Sequence, residues 1–133
     1  MIHKMDFFVC YGETDAGMVM YHGRYFNVLE RARMLMLHDL DLLPSRLEKM
    51  GYLFVVARLE TRYKRPIFLE DNVVINTEVK EISGSRLFVH QWIEKDSKVV
   101  TDALIEMALV DKKSGKSTNI PDEMIEKFLK YKN

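Results

Sequence analysis

The chain has 133 residues, 47% hydrophobic and 30% charged, enough to bury one core without a disulfide or metal staple. Lys+Arg and Asp+Glu balance at 20 each, which excludes the basic excess of a nucleic-acid binder. Cys10 is the only cysteine, so no intrachain disulfide can form, and the composition points to a reducing cytoplasm. No apolar run approaches the roughly 18 residues of a membrane span, and the N-terminal apolar stretch Phe7–Tyr11 is too short for a secretory signal. A single domain over residues 1–133 is expected.

Met5–Tyr11, rich in aromatic and β-branched residues, reads as a first strand. A polar turn, Gly12–Gly17, follows and contains Asp15. After the short apolar run Met18–Tyr21 comes a helical pattern, His22–Asp39, with apolar residues at Tyr25, Val28, Leu29, Ala32, Leu35, Met36 and Leu40. Phe26, Met34 and Leu37 widen that stripe, leaving Asn27, Glu30, Arg31 and His38 as the clearly polar strip. A helix so apolar belongs inside the molecule. Glu30 and Arg33 are placed for a surface pair at i,i+3 spacing. Ser45 is expected to cap a short helix, Arg46–Met50, which Gly51 ends.

From Tyr52 the period changes to two. Ala57, Leu59, Thr61 and Tyr63 alternate with Arg58, Glu60, Arg62 and Lys64, and Val73, Ile75, Thr77 and Val79 with Asn76, Glu78 and Lys80. Ser83-Gly84-Ser85 is a hairpin turn returning through Leu87–Glu94. Val99–Asp111 is mostly apolar on both faces, which suits a central strand or one whose outer face meets another subunit. Pro121 opens a last helix, Asp122–Tyr131, docked by Ile125, Phe128 and Leu129. The order is a strand, a buried helix and four hairpin-connected strands, an α+β antiparallel arrangement. A helix of about 18 residues spans roughly 27 Å and strands of about 10 residues roughly 33 Å. One curved sheet of about five strands can therefore wrap the helix, which is the hotdog architecture.

Tyr11-x-x-x-Asp15-Ala16-Gly17-x-Val19-x-Tyr21-His22-x-x-Tyr25, followed by Glu30-Arg31-Ala32-Arg33, resembles the 4-hydroxybenzoyl-CoA thioesterase-like branch of the hotdog superfamily. Within it the chain looks most like the bacterial acyl-CoA thioesterases encoded beside the Tol–Pal envelope genes. Tyr63-x-x-Pro66-x-x-x-x-Asp71 and Ile120-Pro121 extend the likeness over nearly the whole chain. The resemblance implies that Asp15 is the catalytic carboxylate, in a Glu13-Thr14-Asp15-Ala16-Gly17 version of the family's Asp-Thr-Asp-x-x-Gly pattern. Met18 stands where glycine is frequent. His22 is the helix-opening residue typical of the Tol–Pal-associated members. The resemblance further implies a homo-oligomer, a dimer or tetramer with active sites between subunits, and no metal or redox cofactor, since coenzyme A is part of the substrate.

Elementary chemistry agrees. Thioester hydrolysis needs a base or nucleophile beside a polarised carbonyl, and a carboxylate can fill either role. Unpaired N–H groups at a helix start can hold the developing oxyanion. Asp15 and the His22-Gly23 helix start supply both parts, and Tyr11 can hydrogen-bond the carboxylate or shape the pocket. Tyr21, Gly23 and Tyr25 are candidates for lining the substrate, with packing as the plainer alternative for the tyrosines. Arg86 lies where the family places residues that contact CoA, and Lys64 and Arg65 are further candidates for its phosphates. The plain reading of Asp15 is a turn residue bonded to its own backbone, and that of His22 is a residue that simply begins the helix. Two other functions share these features: a non-catalytic module binding acyl thioesters or acyl carrier protein, and a hydroxyacyl-thioester dehydratase, whose histidine base and carboxylate acid fit this spacing less well.

Overall fold

Period-two patterning resolves into five antiparallel strands: β1 (His3–Phe8), β2 (Tyr52–Tyr63), β3 (Asn72–Ser83), β4 (Arg86–Lys95) and β5 (Lys98–Asp111). The structure is a computed structural model describing all residues, Met1–Asn133. The spatial order is β1-β3-β4-β5-β2, so hairpins join only β3, β4 and β5. The expectation of four hairpin-connected strands is therefore corrected. The chain leaves β2 at one side of the sheet and starts β3 elsewhere, and β2 pairs with β5, Tyr52 opposite Asp111 and Tyr63 opposite Thr101. This makes β5 an interior strand and leaves β1 and β2 as the edges.

Helix α1 spans His22–Asp39, as its periodicity predicts. Val28, Leu29, Ala32 and Met36 face the sheet, and its inward row of Ile75, Leu87, Val89, Ile93 and Ile105 is fully buried against them. The stripe is narrower than expected, since Phe26 and Met34 are exposed, and it needs two further corrections. Leu35 is 40% exposed, whereas Arg33 is buried at 9% and makes no ion pair with Glu30. Its guanidinium goes inward because Gln91, in the inward register of β4, offers it an acceptor.

The first strand ends earlier than expected, at Phe8, because its partner β3 begins at Asn72, opposite Phe8. Tyr11–Glu13 then form a 3-10 turn, closed by the Glu13 carboxylate accepting the Cys10 N–H at 2.8 Å. Helix α2 runs Pro44–Met50, with Pro44 rather than Ser45 at its start, since proline lacks the N–H that would go unpaired there. Gly51, at φ +90°, ends it in the left-handed conformation. Helix α3 covers Asp122–Phe128 and passes into a 3-10 turn, Leu129–Tyr131. Its anchors are Met124, Phe128 and Tyr131, while Leu129 is 51% exposed. The tightening to three residues per turn rotates Tyr131 inward and Leu129 out.

The outer face of the sheet is polar. Arg86 donates to Glu106 at 3.1 Å, and His90, stacked on Trp92, lies 2.6 Å from Asp102. Asp102 and Glu106 thus break the outer face of β5, which is less apolar than its composition suggests. On β5 only Val99, at its start, is an exposed large apolar residue; others cluster along β2, at Leu53, Val55 and Val56, and on α1, at Phe26, Met34 and Leu35. No helix is long and apolar enough to cross a membrane.

Candidate active site

The turn between β1 and α1 folds back on itself. Thr14 bridges to Met20 and Val19 to Phe68, while the Asp15 N–H donates to the Val19 carbonyl at 3.0 Å. Met18 sits at φ +61°, a left-handed conformation costing a non-glycine residue about 1–2 kcal/mol. That explains why glycine suits this position, and why methionine there is tolerable only because the surrounding bonds fix the turn.

Asp15 is exposed. Its Oδ1 accepts the Gly17 N–H at 2.8 Å and the Val19 N–H at 3.4 Å; Oδ2 has no partner in the chain. The turn role and a chemical role thus coexist, with one oxygen orienting the carboxylate and the other free. Beyond Met20, which is buried and hydrogen-bonded to the Ile67 carbonyl at 2.7 Å, the chain enters α1. The Arg24 N–H reaches the Tyr21 carbonyl at 3.0 Å, but the N–H groups of His22 and Gly23 have no acceptor in the chain. Gly23 leaves room for the Tyr21 ring, which a Cβ would approach to 3.1 Å. Arg24 covers the same ring, 5.5 Å from its centroid.

His22 is exposed and leans on Tyr63, with ring centroids 4.6 Å apart; Tyr63 meets Tyr25 edge-on at 4.8 Å. Burial pushes the Tyr25 hydroxyl above its usual pKa. These three rings with Lys64, Arg65 and Pro66 line a cavity of about 230 Å³. Lys64 and Arg65 are carried there by β2, whose end is fixed where both N–H groups share the Val100 carbonyl, at 2.9 and 3.1 Å.

Two expected site residues stand apart. Tyr11 is 76% exposed and makes no hydrogen bond to Asp15 within the chain, because the 3-10 turn bonds its backbone rather than its hydroxyl. Arg86 is opposite Ala108, seven residues along β5 from the Thr101 that faces Tyr63, a separation of about 24 Å. Its Glu106 partner holds it on the outer face. Sequence reasoning missed Tyr63 as a cavity wall, although Tyr63-x-x-Pro66 signals it, and Gln91, which continues the period-two row of Leu87, Val89 and Ile93.

A second cavity, about 500 Å³, opens between α1, α2 and the β2–β5 strands, with Arg33, Met34, Leu37, Leu47, Phe54 and Met107 among its walls. Arg33 donates from Nη1 to Gln91 Oε1 at 2.9 Å. The Gln91 amide nitrogen donates in turn to the Leu29 carbonyl at 2.9 Å and to Thr77 Oγ1 at 3.0 Å. Burial draws the Arg33 guanidinium below its ordinary pKa.

Comparison with known proteins places this architecture. The family model of the thioesterase-like superfamily matches residues 9–128. The chain is 33% identical over 117 residues to the acyl-CoA thioesterase YbgC of Haemophilus influenzae, covering 87% of this chain and 86% of that protein. It is 31% identical over 109 residues to the long-chain acyl-CoA thioesterase FadM of Escherichia coli, covering 80% and 82% respectively. A crystal structure of a probable thioesterase from Bartonella henselae superposes with a TM-score of 0.83 at 28% identity, over 91% of this chain and 100% of that one. A central helix against a five-stranded antiparallel sheet, ordered as described, is the hotdog fold, and the chain belongs to the thioesterase-like superfamily.

Proposed function

We propose that the protein hydrolyses acyl-CoA thioesters to a free acid and CoA, with Asp15 as general base or nucleophile. The observation that carries this reading is the Asp15 carboxylate, one oxygen fixed by its own turn and the other free, on the turn that leads into the unpaired N–H groups of His22 and Gly23. In the base route Asp15 takes a proton from water as the water oxygen attacks the thioester carbonyl. In the nucleophile route Asp15 attacks first and water then opens the mixed anhydride. In both, the C–S bond breaks, CoA leaves as its thiolate, and the helix-start donors hold the carbonyl oxygen as it gains charge. His22 orients water or donates to that oxygen, and Lys64 and Arg65 attract the CoA phosphates. The likeness to YbgC and FadM supports acyl-CoA as the substrate class.

Release of CoA thiol from short, long and aromatic acyl-CoAs tests this directly. Asp15→Asn is expected to lose about 10² or more in kcat while still binding acyl-CoA, since an amide neither accepts the proton nor attacks. Near-wild-type turnover by that variant overturns the assignment. Binding without hydrolysis by the unmodified protein selects the carrier-module reading, and formation of an enoyl thioester selects the dehydratase.

The active species in this reading is a homo-oligomer. An edge strand with unpaired backbone groups and exposed Leu53, Val55 and Val56 invites pairing with a second copy. Two-fold antiparallel pairing of β2 with itself sets the Tyr63 end of one copy beside the Leu53 end of the other, so each site draws on two chains. Light scattering at micromolar concentration is expected to give a multiple of 15.7 kDa. Val56→Lys at this edge is expected to shift mass to the monomer and reduce turnover with it, and a fully active monomer overturns the shared site.

A further inference from the structure

Arg33 is a cation nine-tenths buried whose only hydrogen bond in the chain goes to a neutral amide, Gln91. Its other N–H groups have no partner, yet they are not among the polar atoms sealed from solvent. The contact they keep is with the 500 Å³ cavity that Arg33 lines. Glu30, on the same rim, is exposed and makes no ion pair or hydrogen bond with Arg33, acting on it only through space. The other charges of the rim, Glu48 and Lys112, neutralise each other at 2.8 Å. An apolar cavity floored by a guanidinium with N–H groups left without acceptors has a definite complement. Removing a buried charge's partner is costly, so an anion arriving there recovers what the fold leaves unpaired, and the planar fork of arginine matches a carboxylate in two-point contact.

We propose that this cavity binds an apolar chain ending in a carboxylate, with the chain against Met34, Leu37, Phe54 and Met107 and the carboxylate on the free edge of Arg33. Two sources share that chemistry: a free fatty acid, which is the product of thioester hydrolysis, and an acyl-CoA whose acyl group ends in a second carboxylate. The link to turnover rests on the hydrolase reading; the site itself does not.

Calorimetric titration of the full chain with decanoate and with decanol, its uncharged counterpart, tests the site. The unmodified protein is expected to bind decanoate at least about tenfold more tightly than decanol, and Arg33→Met to bind the two alike. Met34→Trp fills the cavity from an exposed helix position while keeping the arginine in the chain, and is expected to weaken both ligands by about tenfold or more. Equal affinity for the two ligands in the unmodified protein overturns the proposal. So does selectivity that survives Arg33→Met, or decanoate binding undiminished in Met34→Trp. The source is read from kinetics. Inhibition of decanoyl-CoA hydrolysis by decanoate, relieved in Arg33→Met, identifies the product; a kcat/KM preference for ω-carboxydecanoyl-CoA over decanoyl-CoA, lost in the same variant, identifies the substrate. Selective decanoate binding without turnover of any acyl-CoA leaves the site standing and overturns the hydrolase reading.

Discussion

At the start of α1, Asp15 and His22 stand in solvent; about three turns further on, Arg33 is folded into the core. The first pair is positioned locally. Asp15 is held by N–H groups two and four residues away, and His22 by its place at the helix start and one ring contact. Arg33 is held by Gln91, 58 residues distant in the chain, which is itself tied to Thr77 and to the Leu29 carbonyl. The difference separates two kinds of charged group. The exposed carboxylate contributes little to folding and is free to meet substrate or a second copy, whereas the buried guanidinium is part of the packing that makes the helix sit where it does.

If that division is right, substitutions at the two places should move different observables. The largest effect is expected for Gln91→Ala, which removes three hydrogen bonds and leaves a buried cation and the buried Thr77 hydroxyl without partners. It should lower unfolding stability by about 3 kcal/mol in urea titration. A loss below about 1 kcal/mol would mean that water in the cavity already satisfies Arg33, and the contrast between the two regions would weaken. Asp15→Asn, for which a loss of turnover of about 10² or more is expected, should leave the urea midpoint nearly unchanged, within about 0.5 kcal/mol, because the amide oxygen still accepts the Gly17 N–H. A large destabilisation would make Asp15 a structural residue first.

His22→Ala comes next, with an expected loss of about tenfold in kcat, since the backbone donors at the helix start survive the change. Abolished activity would promote His22 to principal acid or base. The smallest effect is expected at the far end of α1, where His3 packs edge-on to Tyr131 with its Nδ1 buried and unpartnered. Burial lowers its pKa from 6.5, with Asp39 opposing and Lys130 adding to the shift. The unfolded chain therefore binds the proton more readily, so stability from this group is full above pH 6.5 and is lost as pH falls through the lowered value. Melting temperatures at neutral pH and about one unit below the ordinary histidine pKa should converge in His3→Asn. Persistence of the whole pH dependence in that variant would move it to another group.

Sequence alone determined what short-range physics controls. The 3.6-residue period fixed α1 at His22–Asp39, the period of two located the strands, and the Asp15–Gly17 spacing specified a turn whose carboxylate bonds its own backbone. It also placed the family, because those local features lie in one continuous motif. Tertiary structure decided the rest. The pairing of β2 with β5 could not be read from hairpin spacing, because the chain leaves the sheet after β2 and the partner arrives many residues later. Neither could the burial of Arg33, which by charge belongs on the surface and by spacing suits a pair with Glu30. Its direction was set by Gln91 occupying an inward register position, a fact that exists only once β4 lies under α1. The outward turn of Leu129 and the separation of Arg86 from His22 have the same origin. Hydrophobicity and charge say what a side chain prefers, but neighbours brought from distant parts of the chain decide which preference is met.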